Sequence, residues 1–170
     1  MKKKLIILLL SIFIIAGCSC SKKEELKEEN KTNENTNIVN IDNKSIELNK
    51  EDNHYNLYYK YNEKEFKSEL LEQYKYLEYT SSNKEIVTIK LMYYKNKSIN
   101  NIMDGTGYEL KDKKIGNTDY KYFEFYEEEI LTHSYVYNYN NDTYTINFAS
   151  NTDMNSLEEI FMKNVYFKSN

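Results

Sequence analysis

From about residue 53 onward the chain alternates between apolar and polar positions. Val87, Ile89, Leu91 and Tyr93 occupy every second place in residues 85–94, and Tyr144, Ile146 and Phe148 do so in residues 143–149. A period of two puts successive side chains on opposite faces of an extended backbone, so each run predicts a strand with one buried face. Tyr120, Tyr122 and Tyr126 likewise oppose Lys121, Phe123 and Phe125, and Tyr135, Tyr137 and Tyr139 oppose Ser134, Val136 and Asn138. Residues 56–61, 75–81 and 108–115 are further strand candidates. Asn140-Asn141 tolerates positive φ between two alternating runs and predicts a tight hairpin, with Glu127-Glu128-Glu129 as the turn of the hairpin before it.

Helical signals are fewer. Asn155 and Glu158 stand three apart and predict a capping box, followed by Leu157, Ile160, Phe161 and Val165 at helical spacing. Residues 98–104 predict a short helix ended by Gly105, with Ile99, Ile102 and Met103 facing inward. Phe66 and Leu70, at i,i+4, predict a third helix within residues 63–73, and residues 166–168 a last short strand. The expected class is α+β: an antiparallel sheet of six to seven strands with two or three short helices. Alternation of this kind also fits a lipocalin-like barrel or a ferredoxin-like sandwich.

Composition divides the chain. All 18 Tyr fall between Tyr55 and Tyr166, whereas residues 19–52 hold no aromatic residue and many Lys, Glu and Asn. Such a polar stretch buries too little to offset its ordering entropy, so residues 18–52 are expected to be a disordered tether and residues 53–170 the folded domain. In the tether, 46–48 is the segment that could add an edge strand. The 170 residues include 23 Asn and 23 Lys, with no Arg, Pro or Trp, a bias that makes abundant Tyr weak evidence of function by itself. A net charge of −4 and the missing guanidinium fork argue against nucleic acid as a partner.

The N-terminus carries a recognisable order. Lys2, Lys3 and Lys4 precede an apolar run from residue 5 to 15, broken by Ser11 and too short to span a bilayer of ~30 Å. Ile15-Ala16-Gly17-Cys18 follows and resembles the lipobox of bacterial lipoproteins. That resemblance implies a signal peptide over residues 1–17, a diacylglyceryl group on Cys18, and a palmitate-type anchor holding the chain on the extracytoplasmic face of the membrane. With Cys18 modified, Cys20 has no partner for an intramolecular disulfide.

Within the domain, Tyr93-Tyr94-Lys95-Asn96-Lys97-Ser98-Ile99 follows the early strands and Lys114-Ile115-Gly116-Asn117-Thr118-Asp119-Tyr120-Lys121-Tyr122 comes next. Tyr144-Thr145-Ile146-Asn147-Phe148 and the closing Leu157, Phe161, Val165-Tyr166-Phe167 complete the order. This succession resembles the PsbP-like fold of photosystem extrinsic proteins, shared with a Ran-binding nuclear-import factor and with small bacterial lipoproteins of unassigned role. The resemblance implies a sheet sandwich over roughly residues 55–168 and carries no functional residue across.

Chemistry-bearing motifs are sparse. His54 and His133 lack a second ligand at metal spacing, Asp104-Gly105-Thr106-Gly107 lacks the Lys of a phosphate loop, and the Glu127–Glu129 triplet suits a solvated turn. Glu124, set among aromatic residues, is expected to have a raised pKa. The reading is a non-catalytic module with no cofactor and no metal, binding a cell-surface protein, or alternatively a solute or glycan. Tyr135, Tyr137 and Tyr139 are the candidate binding surface if they form an exposed aromatic plate; the other reading is a tyrosine-rich core whose hydroxyls reach the rim.

Overall fold

The computed structural model describes residues 38–41 and 44–168. Cys18 and the signal-peptide assignment lie outside these residues. Two strands open the described chain, β1 (Ile38–Ile41) and β2 (Lys44–Glu47), paired antiparallel. β3 (Lys50–His54) and β4 (Leu57–Tyr61) form a hairpin that β12 (Tyr166–Phe167) extends, in the order β12-β4-β3. The remaining strands are β5 (Phe66–Leu71), β6 (Tyr74–Thr80), β7 (Ile86–Tyr94), β8 (Lys111–Ile115), β9 (Thr118–Glu127), β10 (Ile130–Tyr139) and β11 (Asp142–Ser150). They make one antiparallel seven-stranded sheet, β5-β6-β7-β11-β10-β9-β8. Helices α1 (Ile99–Met103) and α2 (Asn155–Lys163) complete an α+β chain dominated by sheet.

The alternation sets the layers. Register puts Leu77, Ile89, Phe148 and His133 in one row across β6, β7, β11 and β10, and Leu91, Ile146, Tyr135 and Tyr122 in the next. This inner face is covered by α2, the three-stranded sheet and the β1–β2 hairpin. Phe161 of α2 sits between them, with ring centroids 5.7 Å from Tyr59 and 5.6 Å from Phe148. The hairpin turns are where Asn and Glu stand at positive φ: Asn140 and Asn141 at 50° and 66°, Glu128 and Glu129 at 50° and 69°.

Four expectations need correction. The folded unit begins well before residue 53, because Ile41, Ile46 and Leu48 are buried and residues 38–41, 44–47 and 50–54 form strands. A few apolar side chains suffice to dock an otherwise polar segment onto an existing core. Residues 63–73 form no helix: Phe66, Ser68 and Leu70 alternate along edge strand β5, with Phe66 against Tyr79 at 5.1 Å and Leu70 exposed. A spacing of four satisfies both periods, so Phe66 and Leu70 alone could not separate helix from strand. The third strand candidate is shorter than expected, since β8 starts only at Lys111. The capping box belongs to α1, where Asn101 N–H donates to Ser98 Oγ at 3.2 Å and Ser98 N–H to Asn101 Oδ1 at 3.3 Å. In α2, Asn155 is already the first helical residue, so its backbone N–H is met by Asp153 Oδ1 at 3.0 Å instead.

Candidate functional site

Helix α2 presents Leu157, Phe161 and Met162 to the interior, and Glu158 lies inside the same stripe. Its carboxylate, 3% exposed, reaches strand β10 and is braced from two strands. His133 Nδ1 lies 2.6 Å from Oε2, the Tyr135 hydroxyl donates to Oε1, and Lys113 Nζ of β8 donates to Oε1 at 3.3 Å. Lys113 also stands over the Tyr122 ring at 4.2 Å and the Tyr135 ring at 4.9 Å, a cation–π arrangement. Beside it, the Tyr122 hydroxyl donates to Glu124 Oε1 at 2.6 Å.

The electrostatics follow from these partners. Burial disfavours ionised Glu158, but the hydrogen bonds it shares with His133 and Tyr135 and the nearby charge of Lys113 outweigh it and hold the carboxyl below its ordinary value. Tyr135 is pushed far up by burial and then by the Glu158 carboxylate it serves. Tyr122 moves the same way, through burial and Glu124. Glu124 is held below its ordinary value, first by the Tyr122 hydrogen bond, which reverses the raised pKa expected from its aromatic setting. A carboxylate whose oxygens are engaged by three donors is a weak base near neutral pH, and a phenol tied to it a weak acid. The cluster is therefore built to hold α2 on the sheet.

The brace is also a wall between two open clefts. One, of about 580 Å³, is lined by Glu124, Tyr126, Glu129, His133, Asn151 and Asp153, among others. The other, of about 310 Å³, has Lys113, Lys114 and Lys163 around Tyr135, Glu158 and Glu159. Asn155, at the start of α2, lines both. Tyr126 is 72% exposed and lines the larger cleft with Glu124 and Asp153, so an aromatic ring and hydrogen-bond acceptors share it.

No family model and no curated protein matches this chain. A solved structure from Bacteroides thetaiotaomicron VPI-5482 superposes with a TM-score of 0.46 at 16% identity, covering 67% of this chain and 46% of its own. This chain thus spans less than half the length of that protein, and the likeness at this level supports no further argument.

The candidate tyrosine row is no exposed plate. Tyr135 is 1% exposed and belongs to the core. Tyr137 and Tyr139 are half-buried beneath Phe167 of β12, with ring centroids 4.5 and 4.9 Å away. The row faces inward because Tyr135 pairs across with Ile146 and Tyr137 with Tyr144, both on the covered face. Of the two histidines, His133 meets Glu158 and His54 is buried beside Tyr55. Among the described residues, no group of three or more His, Cys, Asp or Glu is arranged to hold a metal ion. Asp104-Gly105-Thr106-Gly107 is a turn with both glycines at positive φ. Glu158 was the residue missed. Its signal lay in the stripe Met154, Leu157, Glu158, Phe161, Met162, Val165, where a charge occupies an apolar position.

Proposed function

We propose that this chain is a lipid-anchored extracytoplasmic protein, attached through Cys18, whose domain binds a polyhydroxylated solute or glycan and does not transform it. The observation that carries the binding half is the 580 Å³ cleft that exposed Tyr126 lines together with Glu124, Glu129, Asp153 and Asn151. Carboxylates and amides accept and donate to hydroxyl groups, while the tyrosine face covers the apolar side of a sugar ring. The rival reading, a protein-docking module built on the tyrosine row, loses its main support because Tyr135 is core and Phe167 lies over Tyr137 and Tyr139.

The anchoring half rests on the Lys2–Lys4 cluster, the apolar run and Ile15-Ala16-Gly17-Cys18. No helix among the described residues is long and apolar enough to cross a membrane. Two acyl chains would supply firm attachment, at ~0.8 kcal/mol per buried methylene. The PsbP-like arrangement remains the finer fold reading, supported by an antiparallel sheet with a terminal helix on one face.

Two measurements test this. Mass spectrometry of the mature chain should find a diacylglyceryl adduct on Cys18, and Cys18→Ala should leave unprocessed precursor or a released domain. A firmly membrane-bound mature chain without the adduct refutes the anchor. On a glycan array, the full chain should show a saturable preference that Tyr126→Ala and Glu129→Ala remove without lowering the melting temperature. Unchanged binding in both variants refutes the cleft.

A further inference from the structure

The outer face of the seven-stranded sheet carries a separate cavity. The Ser98–Asn101 capping box fixes α1, which brings Ile102 and Met103 over the strands. Gly105 and Gly107, at φ 75° and 72°, then turn the chain so that Tyr108 returns to the sheet. Its ring stacks on Phe123 at 5.1 Å and lies 5.4 Å from Phe125. With Met92, these side chains line an open pocket of about 120 Å³.

The floor of this apolar space is polar. Ser134 of β10 and Thr145 and Asn147 of β11 supply it. Ser134 Oγ donates to Asn147 Oδ1 at 2.8 Å, whereas Thr145 Oγ1, in a residue only 4% exposed, has no hydrogen-bond partner among the described residues. A buried hydroxyl left unpaired is costly, and Thr145 is one of the residues that line this pocket. One water occupies roughly 30 Å³ and would leave most of the volume empty against thioether and aromatic walls. An apolar cavity of about 150 Å³ accepts benzene, so this one has room for a single ring and little more. Sulfur and ring edges are favourable neighbours for such a ring.

We infer that this cavity binds a phenol-sized aromatic amphiphile, its ring under Ile102 and Met103 and its hydroxyl on Thr145 Oγ1. The site is independent of the cleft at Tyr126, which lies on the other side of the sheet's β9–β10 hairpin. Its chemistry selects by one hydrogen bond and one ring, so larger or fully apolar ligands are disfavoured.

Phenol and toluene, which share a ring and differ in the hydroxyl, are the probes. They are titrated into the detergent-solubilised full chain, free probe is measured, and methyl resonances are followed by NMR. Phenol should shift the Thr145, Ile102 and Met103 methyl signals saturably, with toluene about tenfold weaker for want of one hydrogen bond. Thr145→Val, which keeps the side-chain shape, should bring the two probes level. Met103→Trp, which fills the space, should abolish both while the melting temperature holds. Phenol shifts that do not saturate or that spread over the whole surface overturn the inference. So does a preference that survives Thr145→Val, or binding that survives Met103→Trp, and a hydroxyl satisfied by bound water alone would give the first of these.

Discussion

Replacing Glu158 by Gln keeps the shape of a buried side chain and removes only its charge. Two of its donors, His133 and Tyr135, are themselves shielded, while Lys113 is partly solvated and adds little. Hydrogen bonds to a charged group are worth ~1.5–3 kcal/mol and neutral ones ~0.5–1.5, so losing charge assistance at two buried bonds should cost about 2 kcal/mol. Glu158→Ala, which also orphans both donors and leaves a void, should cost roughly 3–5 kcal/mol. Urea unfolding at about pH 7 measures both, with the slope unchanged if the denatured state is unaffected. Because the folded carboxyl titrates below 4.5, its ordinary value, the stabilisation is complete above that pH and is lost as pH falls through the folded value. The Gln variant has no such group, so its deficit should be widest near neutrality and shrink in acid. A deficit that is absent at neutral pH, or that grows as pH falls, refutes the claim that an ionised Glu158 braces α2.

Phe161→Ala should cost about 3–5 kcal/mol by urea melts, since the ring is buried between Tyr59 and Phe148. Glu159→Ala, on the exposed side of α2 and paired with Lys163 at 2.6 Å, should stay within about half a kcal/mol. Ile46→Ala should cost roughly 2–5 kcal/mol, and a chain starting at residue 53 should melt well below one starting at residue 36, because β1 and β2 contribute to the core. Tyr135→Ala should be far more damaging than Tyr139→Ala, reversing the equal and mild effects expected of an exposed plate.

Strands β7, β9, β10 and β11 were readable because each carries one apolar face, and period two has no rival over eight or more residues. Short segments lacked that redundancy. Phe66 and Leu70 fit either period, and the choice was made by β6, whose Tyr79 and Leu77 accept Phe66 and Ser68 as cross-strand partners. β1 was hidden by its composition and β2 showed only as the candidate edge segment 46–48, since a few buried side chains inside a Lys- and Asn-rich stretch do not alter its average. The tyrosine row showed correctly that Tyr135, Tyr137 and Tyr139 share a face. Which face is covered depends on Phe167, some thirty residues away, and no local pattern reports that. Glu158 was harder still: its burial is tolerable only because His133 and Tyr135, two positions apart on another element, arrive at its oxygens.

The last described strand has a consequence for how the chain completes itself. β12 pairs Tyr166 with Tyr58, the Tyr166 hydroxyl donates to Glu51, and Lys168 Nζ reaches Glu51 at 3.1 Å. A chain made from its N-terminus exposes the free edge of β4 for about a hundred residues before the segment that closes it exists. Most of the large sheet, by contrast, grows through neighbouring hairpins whose loop-closure cost is small. Assembly is thus gated late: until residues 166–168 emerge, an unpaired strand edge and the rings of Tyr137 and Tyr139 stand open together. Nascent or C-terminally clipped chains carry the sticky surface that the finished protein hides, and they are the species on which chaperones and proteases would act first.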